Sequence, residues 1–209
     1  MIRLLQTFIF SVLIQPGNLV EYDSTLIDKH LESEVEEIVV STEYFPVINK
    51  NARFSWEAHK PLRWSDFRGA PDRFSKFAAT SNTGISHTYS VSSKGYLVAN
   101  SSQVRANFYP NLSWYIPKLI NKTTLAHEQT HFDISELHAR ILRKELSQRR
   151  FSHNAKREIT AIYANVEKAR KAMQFQFDQE TNHSIDLEKE VIWENYIAKL
   201  LKKYERWSS

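Results

Sequence analysis

His127, Glu128, Gln129, Thr130 and His131 set two imidazoles four residues apart with a carboxylate beside the first. If this stretch is helical, the two rings lie about 40° apart around the axis and about 6 Å apart along it, so both can turn toward one ion. Zinc accepts neutral His nitrogens at roughly 2.0 to 2.1 Å, and a catalytic site uses three protein ligands while leaving a fourth position for water. Glu128 falls one residue round from His127, beside the ion rather than on it, where a carboxylate serves as general base toward the activated water. H-E-x-x-H therefore predicts metal-assisted hydrolysis, with His127 and His131 as ligands and Glu128 as base.

The element carrying the motif reads as a helix. Thr123 and Thr124 are candidate caps, Leu125 to Leu146 contain no Gly or Pro, and Ile134, Leu137 and Ile141 recur at helical spacing. Helix geometry then narrows the search for a third ligand. Asp133 and Glu136 point well away from the His131 side, and His138 lies seven residues on, about 10 Å along the axis. His138 is expected to support the site or the core rather than bind the ion.

A better source lies some fifty residues downstream, in Phe177-Asp178-Gln179-Glu180-Thr181-Asn182-His183-Ser184. Helical patterns flank it: Ile159, Ile162, Val166, Ala169, Met173 and Phe177 before, and Trp193, Ile197, Leu200, Tyr204 and Trp207 after. Thr181, Asn182 and Ser184 mark the break, which puts His183 on a helix-helix turn facing the first helix. His183 is the expected third ligand and Glu180 the alternative, with Asp178 expected to orient an imidazole.

These segments carry a resemblance. Leu62-Arg63-Trp64-Ser65-Asp66-Phe67-Arg68-Gly69, the extended run from His127 to Arg140, and Asp178-x-Glu180-Thr181-x-His183 resemble a bacterial family called domain of unknown function 922, over roughly Arg53 to Tyr204. That family is described as predicted secreted zinc-dependent proteases, so the resemblance implies a zincin-like fold and a metallopeptidase activity. Phe177 stands where the family favours Tyr, and Ser184 where it favours Gly. The first departure removes a hydroxyl that could have donated to an oxyanion.

At 209 residues, 42% of them hydrophobic, the chain can bury one moderate core. Cysteine is absent, which excludes disulfides, thiolate metal sites and a Cys nucleophile together. The net charge of +4 is mild, and the basic residues between Arg140 and Lys171 are interspersed with Glu145, Glu158 and Glu167. They read as a solvated helical face, and no nucleic-acid partner is expected. Arg3 followed by the apolar stretch Leu4 to Ile14 resembles a secretory signal, which points to export to the periplasm or outside the cell. Eleven residues are too few to span a bilayer, so no integral membrane segment is expected after processing.

The expected organisation is residues 1–20 as a signal or N-terminal segment, 21–52 as an irregular arm or linker, and 53–209 as the metallopeptidase domain. Alternation from Ala79 to Val91 reads as a strand, with Tyr96 to Phe108 as the following hairpin; His87 reads as a packed strand residue. Trp64 to Gly69 reads as a shaped loop near the sheet. The fold class is thus α+β, zincin-like: a small antiparallel sheet, then three long helices including the H-E-x-x-H helix. In zincins an edge strand beside that helix pairs with an extended substrate, and Tyr96 to Phe108 is the candidate edge. The predicted function is a zinc-dependent peptidase acting on a peptide or protein. The competing reading is a non-catalytic zinc-stabilised binding protein of the cell envelope.

Overall fold

A computed structural model describes residues 38–41, 52–72 and 74–209; the expected signal segment and most of the expected arm lie outside the described residues. Six strands come first: β1 (Ile38–Ser41), β2 (Phe54–Ser55), β3 (Ala79–Thr80), β4 (Thr83–Val91), β5 (Gln103–Phe108) and β6 (Trp114–Tyr115). Three helices follow, α1 (Lys122–Ser147), α2 (Ala155–Thr181) and α3 (Leu187–Lys203). The architecture is α+β, with antiparallel strands preceding the helices. β1, β4, β5 and β2 form one sheet in that order, and β3 pairs with β6 in a second, two-stranded sheet. No helix among the described residues is long and apolar enough to cross a membrane.

Two expectations change here. Ile38–Ser41, read as part of an irregular arm, pairs with β4 as an edge strand, Ile38 opposite Val91. Four residues are too short to show a periodicity in sequence. Second, the strand expected over Ala79 to Val91 breaks at Ser81 and Asn82, because their amides leave the ladder for side chains: Ser81 N–H donates to Glu128 Oε2 (2.7 Å) and Asn82 N–H to Ser113 Oγ (2.8 Å). Ser113 is held in turn by Gly69, whose N–H donates to the Ser113 carbonyl at 2.7 Å. A Cβ on Gly69 would stand 2.9 Å from that oxygen, so only glycine permits the approach. The Trp64–Gly69 loop thereby fixes where β3 ends.

α1 is the central element. Asn121, rather than Thr123 or Thr124 as expected, caps it: its side chain accepts Thr124 N–H at 2.9 Å, and Thr124 Oγ1 accepts Asn121 N–H at 3.3 Å in return. Phe132, Ala139 and Leu142 bury against Ile85, Tyr89, Ala106 and Phe108 of the sheet and against Ile159 and Tyr163 of α2. Ile134 and Leu137 bury against Phe177 of α2 and Trp193 and Ile197 of α3. Each such large apolar side chain contributes about 1.5 to 3 kcal/mol on leaving water, so α1 is clamped from two directions. Part of the basic cluster is consequently internal, contrary to the solvated face expected. Arg140 pairs with buried Glu136 at 2.9 Å, and Arg170 donates to the Thr83 carbonyl at 3.2 Å.

His87 sits in the sheet core as a packed residue, its Nε2 2.8 Å from Ser102 Oγ. Burial pushes its pKa down to about 4. A histidine whose folded pKa lies below its unfolded value takes up its proton preferentially on unfolding, so stability falls as pH drops below about 6.5 and levels near 4. Urea midpoints measured across this window should show a loss of up to about 3 kcal/mol from His87, and a His87→Gln protein should show a shallower slope, the remainder coming from His138, whose pKa burial also lowers.

Candidate metal centre

The helical spacing of the motif does what it predicts. His127 Nε2 and His131 Nε2 lie 3.1 Å apart, with the rings nearly perpendicular at 87°. Phe177 walls both of them, stacked on His127 at 4.5 Å and edge-on to His131 at 5.1 Å. The third atom at this point belongs to Asp178: its Oδ1 is 3.2 Å from His127 Nε2 and 2.9 Å from His131 Nε2. Among the described residues, His127, His131 and Asp178 are the group whose ligand atoms all fall within 4.8 Å of one another.

The donor set suits zinc. Ligands at about 2.0 to 2.1 Å in a tetrahedron stand roughly 3.3 Å from one another, close to the triangle these atoms form. Two imidazole lone pairs facing each other at 3.1 Å repel unless a proton or cation lies between them. The outer nitrogens are already oriented for ligation. Glu190 Oε1 accepts from His127 Nδ1 at 2.8 Å, and Gln174 Oε1 accepts from His131 Nδ1 while Gln174 Nε2 donates to the His131 carbonyl at 2.8 Å. With each Nδ1 protonated, each Nε2 offers its lone pair inward.

The electrostatics point the same way. Burial opposes charge on His127, but its hydrogen bonds to Asp178 and Glu190 and the nearby Glu128 carboxylate outweigh that and push its pKa up to about 9. Burial likewise opposes charge on Asp178, yet the bonds from His127 and His131 hold its carboxyl well below the usual range. The pocket thus attracts positive charge, as a proton on His127 or as a cation.

His183, expected as third ligand, does not join the trio. α2 runs on to Thr181, so Asp178, on its last turns, faces the imidazoles, whereas His183 lies past the helix end. It is the middle of three consecutive left-handed residues, Asn182, His183 and Ser184, with φ of 48°, 52° and 71°. Its Nδ1 stops 3.6 Å from Asp178 Oδ1 and its ring rests 4.6 Å from that of Phe77. Asp178 therefore takes the place given to His183, and His183 stands beside it. Glu180, the alternative ligand, faces the other way, accepting from Trp193 Nε1 and Gln176 Nε2, both at 2.8 Å. His138, expected near the site, is buried inside the helical layer and donates from Nδ1 to the Ile134 carbonyl at 2.8 Å. Its role is in the core.

Glu128 is buried, its Oε2 accepting from Ser81 N–H as described. It lines, with the three ligand candidates, an open cavity of about 1110 Å³ between the β3–β4 turn, α1 and α2. Sequence reasoning missed Glu190 and Gln174. A signal for Glu190 existed: it precedes Trp193 by three residues and Ile197 by seven, so it lies on the inward stripe of α3, where a carboxylate needs a partner. Glu190→Gln is expected to lower zinc affinity about ten- to hundredfold in a chelator competition, with the metal still bound by the same three side chains.

Residues 112–184 match the family model described as a bacterial protein of unknown function, DUF922. The matched segment contains His127, Glu128, His131, Gln174 and Asp178, and ends before Glu190. Comparison with curated proteins and with solved structures yields no match.

Proposed function

Starting from the match of residues 112–184 to the DUF922 family model, which takes in His127, Glu128, His131 and Asp178, we propose that this chain is a zincin-like, zinc-dependent peptidase with His127, His131 and Asp178 as ligands and Glu128 as general base. The observation that carries the reading is the triangle of two Nε2 atoms and one carboxylate oxygen, 2.9 to 3.2 Å on a side, with a buried carboxylate from the same helix beside it. Zinc held there would lower the pKa of water and polarise a carbonyl. Glu128 takes the proton of the attacking water and returns it to the leaving amine, a transfer worth about 10²- to 10⁴-fold in rate. Glu190 and Gln174 keep the two imidazoles in the ligating tautomer.

The strand beside this centre is β3, and it replaces the Tyr96 to Phe108 region as the expected substrate edge. β5 is paired on both sides, by β4 and β2, and lies away from the cavity, whereas Ala78 to Thr83 line it. Ile116 N–H donates to the Ala78 carbonyl at 2.8 Å and Ala79 stands opposite Tyr115, so the backbone groups of Ala79 point away from β6, the direction in which Ser81 N–H meets Glu128. An extended peptide pairing there would cross the ligand group. Export, suggested by the Leu4 to Ile14 stretch, belongs to the same proposal.

A second reading, a zinc-stabilised binding protein, draws on one observation: Glu128 is already engaged by Ser81 N–H. The deciding experiment loads the purified chain with one equivalent of zinc and follows a mixed peptide library by mass spectrometry. Cleavage should appear, vanish on chelation and return with zinc; one bound zinc without cleavage of any peptide would leave only the binding protein.

A further inference from the structure

Among the polar residues that line the cavity stand four large, exposed apolar side chains. Phe77, Leu119, Ile185 and Leu187 all line it, and they are 45%, 55%, 71% and 58% exposed. They come from three places in the chain: Phe77 from the approach to β3, Leu119 from the loop before α1, and Ile185 and Leu187 from the α2–α3 connection where it runs into α3. Scattered single apolar residues on a surface need no explanation, but four brought from three segments to line one cavity do.

The rim has a defined position relative to the ligand group. Asp178 Oδ1 is 3.6 Å from His183 Nδ1, and the His183 ring is 4.6 Å from Phe77. The Phe77 ring therefore lies within about three residues of extended chain from the ligand group, at ~3.3 Å per residue. Phe77 also precedes β3 by only two positions. A peptide running along Ala79 would therefore carry a side chain within about three residues of the ligand group past Phe77, in the cavity that Leu119, Ile185 and Leu187 also line. The α2–α3 connection is tied down, since Ile185 N–H donates to the Thr181 carbonyl at 3.1 Å and Asp186 N–H donates to it at 2.9 Å, so this part of the rim is built before any occupant arrives.

We propose that this rim is the specificity pocket of the site and that its occupant is a bulky apolar side chain, Leu or Phe in class, of an extended polypeptide substrate. The inference rests on the peptidase reading for its location, and its test separates the two. Zinc-loaded Glu128→Gln protein is titrated with two fluorescein-labelled peptides of equal length, one carrying a Leu-Phe pair in a Ser/Thr background and the other Ser-Asp in its place. Binding should be about tenfold or more tighter for the apolar peptide. Leu187→Asp and Ile185→Asp, each added to that protein, should reduce the preference to under threefold while zinc content and helical circular dichroism stay unchanged. Both side chains are exposed, so these variants are expected to fold. Ile192→Asp, which puts the same charge on α3 at an exposed position outside the rim, should keep the full preference.

Equal binding of the two peptides overturns the proposal, as does an Ile192→Asp effect as large as that of Leu187→Asp. Self-association abolished by Leu187→Asp, with no peptide preference, would show the rim to be a contact between copies of this chain, and also overturns it. If the apolar peptide binds preferentially but the wild-type zinc protein leaves it intact, the pocket stands and the catalytic reading falls.

Discussion

Replacing Glu128 by Gln is expected to lower the peptide-cleavage rate constant by about 10²- to 10⁴-fold while the protein still carries one zinc. The two parts of this expectation come from different atoms. Zinc retention follows because Glu128 is outside the triangle formed by His127, His131 and Asp178. Fold retention follows because the Gln carbonyl can still accept the Ser81 N–H that Glu128 Oε2 accepts at 2.7 Å, so the β3–β4 turn keeps its anchor. The rate falls because an amide cannot take up a proton at neutral pH. Zinc content from mass spectrometry and cleavage measured on the same preparations check the result. Undiminished cleavage by the variant would remove Glu128 from the chemistry and return the carboxylate to a structural role at that turn.

The second large effect separates Asp178 from His183. Asp178→Ala is expected to weaken zinc binding by on the order of 10³-fold, because it removes an anionic ligand and leaves two imidazoles, one short of the three protein ligands of a catalytic site. His183→Ala should change the affinity by less than tenfold, since that ring reaches only the neighbour of the ion, 3.6 Å from Asp178 Oδ1. Competition against a calibrated zinc chelator measures both. The reverse ranking would make His183 the ligand and Asp178 its support. Neither variant should unfold the chain: Asp178 and His183 are partly exposed, and the buried contacts at this end of α2 belong to Phe177 and Thr181.

Much of this site was legible in the amino-acid order because it depends on local geometry. Two imidazoles and a carboxylate on one turn of one helix need only a helix, and a run free of Gly and Pro with apolar residues three and four apart supplies it. The same periodicity announced α2 and α3, and the Thr-Asn-Ser break between them is where α2 ends, in a left-handed Asn182. The third member of the group was legible only as a neighbourhood. Asp178 and His183 are five residues apart, and which one reaches the imidazoles depends on where α2 stops and how it packs on α1. A helix continuing to Thr181 presents Asp178 inward and carries His183 beyond the cap.

Glu190 and β3 show the same limit. Glu190 is 63 residues from His127, and its side chain meets Nδ1 only because α3 folds back against α1. β3 is a two-residue strand whose end is fixed by side-chain acceptors from other elements, Glu128 and Ser113, so no alternation of its own could mark it. What the chain's residue order determined by itself was the chemistry on offer, two imidazoles and a carboxylate on one helical turn, because a helix makes near neighbours of residues four apart wherever it forms. What tertiary packing alone decided was which distant side chains complete that chemistry, because burial of Phe177 and Trp193 against α1 sets the position of α2 and α3, and with it whether an oxygen from Asp178 or a nitrogen from His183 arrives within reach of an ion.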